Sequence, residues 1–117
     1  MRPTLGISAA ALLLLSTGVA EAADPTQLAE TAGFLLGNAH RCGVPPERVG
    51  HAGRVIHELI VAASNDRTEE AAADRHFVEI FMASAFPDRE TSLIPPCNAV
   101  IAQFERLERH HQQSGMD

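Results

Sequence analysis

Lysine, tryptophan and tyrosine are absent from this 117-residue chain, and cysteine occurs only twice. With five phenylalanines as its only large aromatic side chains, the chain has no platform on which nucleobases or sugars would stack. Every basic residue is an arginine, and fifteen acidic residues against nine basic ones give a formal net charge of −6. That balance argues against nucleic acid as a partner, because phosphate binding needs a basic patch. It argues equally against a membrane-surface role once any leader is removed.

Several catalytic and metal-binding frames are missing as well. There is no C-x-x-C, which is the spacing of a redox-active thiol pair, and no C-x-x-C-H, which covalent haem requires. There is no H-E-x-x-H, no pair of histidines four apart, and no nucleophile elbow. A mature domain of about 95 residues also offers little room for a substrate cleft. These absences lead to the expectation of a non-enzyme without a cofactor. No stretch alternates in hydropathy for long enough to make a strand, so the expected fold class is all-α.

At the N-terminus, Arg2 precedes an apolar run at residues 7–19, followed by the small-x-small triplet Ala20-Glu21-Ala22. Residues 1–22 therefore read as a cleaved signal peptide, with the mature chain starting near Ala23. The run is short for a membrane anchor, which is the competing reading. No cysteine follows closely enough for lipid attachment. The expected location is periplasmic or secreted. In such a compartment an even pair of cysteines is most simply a disulfide, so Cys42 and Cys97 are expected to be joined. Closing a loop of about 55 residues would stabilise the fold by roughly 4 kcal/mol in the chain-entropy model.

The mature chain divides into four helical segments, expected to form an up-down-up-down bundle over residues 23–111, with residues 112–117 as a disordered tail. In the first, Asp24 caps and Pro25 starts the helix, and Leu28, Ala32, Leu35, Ala39 and Cys42 recur on one face, widened by Phe34 and Leu36. Gly43 then ends the helix in the left-handed conformation with Val44 folded back, and Pro45-Pro46 forbids continuation. In the second, Val49, Ala52, Ile56, Leu59, Ile60 and Ala63 face inward. In the third, Asp66-x-x-Glu69 is a capping box, and Ala73, Phe77, Ile80, Phe81 and Ser84 face inward, with Ala85 and Phe86 at the end. Leu93 and Ile94 are expected to cover the core in the connection that follows. In the fourth, Cys97, Val100, Ile101, Phe104 and Leu107 face inward, and Glu105 is spaced to pair with Arg109. A helix ending at Cys42 and another beginning at Cys97 would meet at the same end of such a bundle.

Six histidines invite a metal reading, but their spacing discourages one. His51 and His57 lie six positions apart and point to different sides of a helix, and His110 and His111 diverge. His51, His57 and His76 are the weak candidates, with His76 placed to cross over to another helix. The glycine pairs Gly33/Gly37 and Gly50/Gly53 make small-residue faces that favour packing within the bundle over packing on a partner helix.

The residues Gly37-Asn38-Ala39-His40-Arg41-Cys42-Gly43, Phe77, Phe81, Cys97, Phe104, Leu107 and Glu108 together resemble the small, exported, two-cysteine, all-helical proteins of proteobacteria. That resemblance implies a helical fold and a periplasmic location, and it implies no activity. A looser likeness is to the acid-stress chaperones of the periplasm, from which this chain departs in having no lysine. The leading expectation is a non-enzymatic accessory or interaction module with a protein partner. The alternative is a histidine-based metal-binding or pH-responsive protein, since six imidazoles would gain charge below about pH 6.

Overall fold

The computed structural model describes residues 24–88 and 94–116. Within them the chain is helical, with α1 at Pro25–Arg41, α2 at Pro46–Ala63, α3 at Arg67–Ala85 and α4 at Cys97–Met116, and no strand. The expected signal peptide at residues 1–22 lies outside the described residues.

Local chemistry sets most of the boundaries. The Asp24 carboxylate accepts from the Thr26 N–H at 3.0 Å, and Pro25 occupies the first turn where no N–H partner is needed. At the other end of α1, Gly43 adopts φ 91°. Its N–H donates to the His40 carbonyl at 3.1 Å, and the Val44 N–H reaches back to the Ala39 carbonyl at 3.0 Å. This is the Schellman pattern, completed by burial of Val44. Helix α3 opens with Asp66 accepting from the Glu69 N–H at 2.8 Å. The Glu69 carboxylate accepts in return from Asn65, one residue before the usual capping-box donor, at 2.6 Å. Helix α3 stops at Phe86 and Pro87. Helix α4 begins with the Pro96 carbonyl accepting from Ala99 and Val100, both at 3.1 Å.

All three other helices pack against α1. Its tightest neighbour is α3, because Gly33 and Gly37 remove the side chains that would hold the two backbones apart. A Cβ on Gly33 would lie 2.9 Å from the Phe77 carbonyl oxygen, and one on Gly37 would lie 2.5 Å from that of Phe81. These glycines are used inside the molecule, as the sequence favours. Their register, 33 on 77 and 37 on 81, makes α1 and α3 parallel. Helix α2 runs antiparallel to α3, since Val49 and Gly53 share a recess with Phe81 and Phe77, while His57 meets Asp74. Helix α4 runs antiparallel to α1, joined at Cys42–Cys97 and continuing along Leu35 to Leu107. The packing is centred on α1, and its closest contact joins the two helices that a square bundle would set on a diagonal.

The core follows from this hub. Leu36, Ile60 and Phe104 are the largest fully buried side chains, surrounded by Ala29, Ala32, Ala39, Val49, Ile56 and Val100. The buried face of α1 is turned by about one residue from the expected stripe. Ala29, Ala32 and Leu36 are deep, Leu28 and Leu35 are only partly buried, and Phe34 is exposed. The reason is the proximity of α3, which selects the smallest residues for the centre of the contact. Leu59, Phe86 and Ile94 are also exposed rather than inward, and Leu93 lies outside the described residues. Helix α4 continues past His111 to Met116, where the sequence places a polar tail, because Gln112 and Gln113 sustain a helix and no cap intervenes. On α4 the arginine partner is Glu108 rather than Glu105. Arg48 of α2 donates from Nε to Glu108 at 3.0 Å and covers the Phe104 ring, its guanidinium carbon 5.5 Å from the ring centre. The hydrogen bond to Glu108 is the main reason the Arg48 guanidinium is held even more firmly in its charged form.

Two glycine substitutions separate contact from propensity. Gly37→Ala should lose about 1–3 kcal/mol of stability through overpacking against α3. Gly50→Ala would meet only the far end of the Arg54 side chain, at 4.0 Å, and should be neutral or gain up to roughly 1 kcal/mol from helix propensity. Urea unfolding of both variants measures this, and equal effects would contradict the close α1–α3 contact.

Candidate functional site

Three places gather polar or reactive groups. The first is the end of the molecule where α1 stops and α4 starts. Cys42 occupies the C-cap of α1 and Cys97 is the first residue of α4, and the two form a disulfide with Cα atoms 5.5 Å apart. Arg41 fastens the same junction. Its Nε donates to the Asn38 side-chain oxygen at 2.9 Å, its Nη2 donates to the Pro95 carbonyl at 2.8 Å, and its Nη1 lies 3.6 Å from Cys97 Sγ. Asn38 is buried and donates from its amide to the Phe34 carbonyl at 2.9 Å. One asparagine thus holds an arginine by its own helix, and that arginine reaches across to the turn that starts the last helix. The Pro95 carbonyl precedes α4 and has no helical donor, so the guanidinium satisfies a group that would otherwise be left to solvent.

The second place is the seam between α2 and α3. His57 Nδ1 lies 3.1 Å from Asp74 Oδ1. Glu70 stands one turn before Asp74, and one ligand atom from each of the three residues lies within 4.8 Å of the others. The third is the seam between α1 and α3. His76 Nε2 lies 3.3 Å from a Glu30 oxygen and its Nδ1 lies 3.8 Å from Glu79. The three histidine candidates are therefore separated. His57 gains two carboxylates, His76 crosses to α1 as its position anticipates, and His51 is exposed with its ring 5.9 Å from that of His111. Glu70 and Asp74 read in the sequence only as acids favoured near a helix N-terminus. Their four-residue spacing puts them on one face, but the register that brings His57 to them is a tertiary property.

Apolar surface is the other feature. Val78, Met82 and Phe86 are 55%, 50% and 62% exposed and follow one another at four-residue intervals along and just beyond α3. Val78 forms the rim of a recess of about 190 Å³ whose floor and walls include Leu36, Gly50, Gly53, Phe77 and Phe81. A larger groove of about 390 Å³ between α1 and α4 has Asn38, Gln103 and Arg106 as its principal polar groups and brings no carboxylate or histidine to its lining. Among the described residues no helix is long and apolar enough to cross a membrane.

Comparison of the chain with protein-family models, with curated proteins and with solved structures gives no match in any of the three. The likeness to small exported two-cysteine proteins rests on the quoted residues alone.

Asn38→Ala should cost about 1–3 kcal/mol, because it leaves the Arg41 guanidinium without one of its holds in a partly buried site. Thermal unfolding of the oxidised protein measures the loss. A variant as stable as wild type would show that the clasp at this junction contributes nothing.

Proposed function

We propose that the chain is a non-enzymatic accessory or protein-interaction module that works in an oxidising compartment, periplasmic or extracellular, as a four-helix bundle centred on α1. The observation that carries the reading is the exposed stripe of Val78, Met82 and Phe86 beside the recess that Leu36, Gly50, Gly53 and Phe77 help to line. Helix α3 buries Ala73 and Ala85 and packs closely on α1, yet Val78 and Met82 leave about half of their surface exposed, and Phe86, whose ring lies 5.7 Å from that of His40, leaves more. An exposed apolar ridge beside an apolar recess fits the apolar side of a partner helix. The disulfide supports the compartment, since such bonds persist where the environment is oxidising. The signal-like N-terminus supports it from the sequence.

The test is site-specific photocrosslinking from position 82 in cell-envelope extracts. A reproducible adduct that disappears when Val78→Glu is introduced is the expected result. The absence of any adduct in repeated trials would remove the reading.

A second reading has its own observation. His57, Glu70 and Asp74 offer one imidazole nitrogen and two carboxylates from two helices, a donor set that suits zinc and related divalent ions. The His57–Asp74 and His76–Glu30 contacts also join α3 to α2 and to α1. Protonation of those rings would turn hydrogen bonds between helices into ion pairs. Calorimetric titration with zinc and copper should give one site that His57→Ala and Asp74→Asn each abolish. No binding to the wild-type chain, with a flat unfolding midpoint between pH 4 and 7, would eliminate both the metal and the pH-responsive forms of this reading.

A further inference from the structure

We propose that the Cys42–Cys97 disulfide is polarised for thiol exchange in one direction, with Cys42 Sγ as the sulfur that accepts an incoming monothiol and Cys97 as the departing thiolate.

Three features act in the same sense. Cys42 is the C-cap of α1, where the last carbonyls concentrate partial negative charge and disfavour a thiolate. Cys97 is the first residue of α4, at the opposite pole of a helix dipole, where a thiolate is favoured. Arg41 then places a full positive charge 3.6 Å from Cys97 Sγ. That guanidinium is held in advance by Asn38 on one side and Pro95 on the other, so no side chain has to be reorganised when charge develops. Among the described residues, the hydrogen bonds put a cationic group on Cys97 Sγ and none on Cys42 Sγ.

The step is a displacement at sulfur. The thiolate of a small thiol such as glutathione attacks Cys42 Sγ and forms a mixed disulfide there. The Cys42–Cys97 bond breaks, and its electron pair remains on Cys97 Sγ as a thiolate beside Arg41. Exchange is faster when the leaving thiol is the more acidic one, which selects Cys97 to leave. Both cysteines are half-buried rather than sealed, so a small thiol can approach. Cys97 can later return to Cys42 and expel the adduct, or a second thiol can remove it. The bridge is then a reversible modification site whose adduct sits at the C-terminal end of α1.

The experiment maps the adduct. The oxidised protein is mixed with excess reduced glutathione, quenched in acid at short times, blocked with N-ethylmaleimide and analysed by peptide mass spectrometry. Glutathione should be found on Cys42 in about tenfold excess over Cys97, from the two helix poles and the guanidinium combined. An equal distribution, or an excess on Cys97, overturns the proposal. Arg41→Gln should reduce the bias several-fold and Arg41→Lys should retain most of it, with circular dichroism confirming the fold. A bias unchanged in Arg41→Gln would remove the guanidinium from the mechanism. A bias lost equally in Arg41→Lys would show that the clasp geometry acts rather than the charge, and it too counts against the proposal. The wild-type ratio decides the direction of exchange even where Arg41→Gln does not fold.

Discussion

The distance between α1 and α3 is the constraint from which the rest of the arrangement follows. Gly33 and Gly37 let the backbone of α1 approach the Phe77 and Phe81 carbonyls more closely than any side chain would allow. That contact makes α1 the hub, since a helix drawn so close to one neighbour still has α2 and α4 along its remaining sides. It explains why the centre of the α1 face is built from Ala29, Ala32 and Leu36 rather than from Leu28 and Leu35. It also explains why α3 buries mainly alanine deeply, Ala73 and Ala85, and leaves Phe77 and Phe81 half-buried toward α2. The larger apolar volume is supplied from the other side by Ile56, Ile60, Val100 and Phe104.

Much of this was legible in the residues before any coordinates. Asp24-Pro25, Gly43 followed by Pro45-Pro46, and Asp66-x-x-Glu69 are local signals whose physics is complete within a few residues, and the observed caps use them. The inward sets of α2 and α4 hold for Val49, Ala52, Ile56, Ile60, Val100 and Phe104 because both helices are strongly amphipathic. The misplacements have a common origin. Phe34, Leu59, Phe86 and Ile94 are large and apolar, and size alone put them inside; on α1 the close contact with α3 instead selected for smallness. The cysteine pairing could be anticipated because both candidates sit at helix ends that meet. Arg41 and Asn38 gave no such warning, since their partners depend on where the Pro95 carbonyl lies in space. The same is true of His57 with Glu70 and Asp74, where spacing sets the face of each helix but not the register between them.

The polar chemistry is divided between regions of different character. The disulfide, Asn38, Arg41 and Pro95 form a dense junction whose groups satisfy one another. The histidine–carboxylate contacts lie along the seams of α3, more open to water, and exposed ion pairs of that kind add little to stability. The apolar stripe along α3 is different again: Val78 and Met82 are about half exposed, and Phe86 stays largely exposed although its ring meets that of His40. Helix α3 therefore carries most of the features that a binding reading can use, the histidine–carboxylate contacts along its seams with α1 and α2 and the apolar stripe on its exposed surface.

The hub position of α1 has a consequence for the order of events as the chain is made. Α1 is the first of the four helices to leave the ribosome, yet the carbonyls that Gly33 and Gly37 touch belong to a segment more than forty positions downstream, and Cys42 must wait for Cys97. Until then the alanine and leucine face of α1 has only the α2 hairpin to shelter it. With its central strut at the front, the chain can close its core only when its last helix is present.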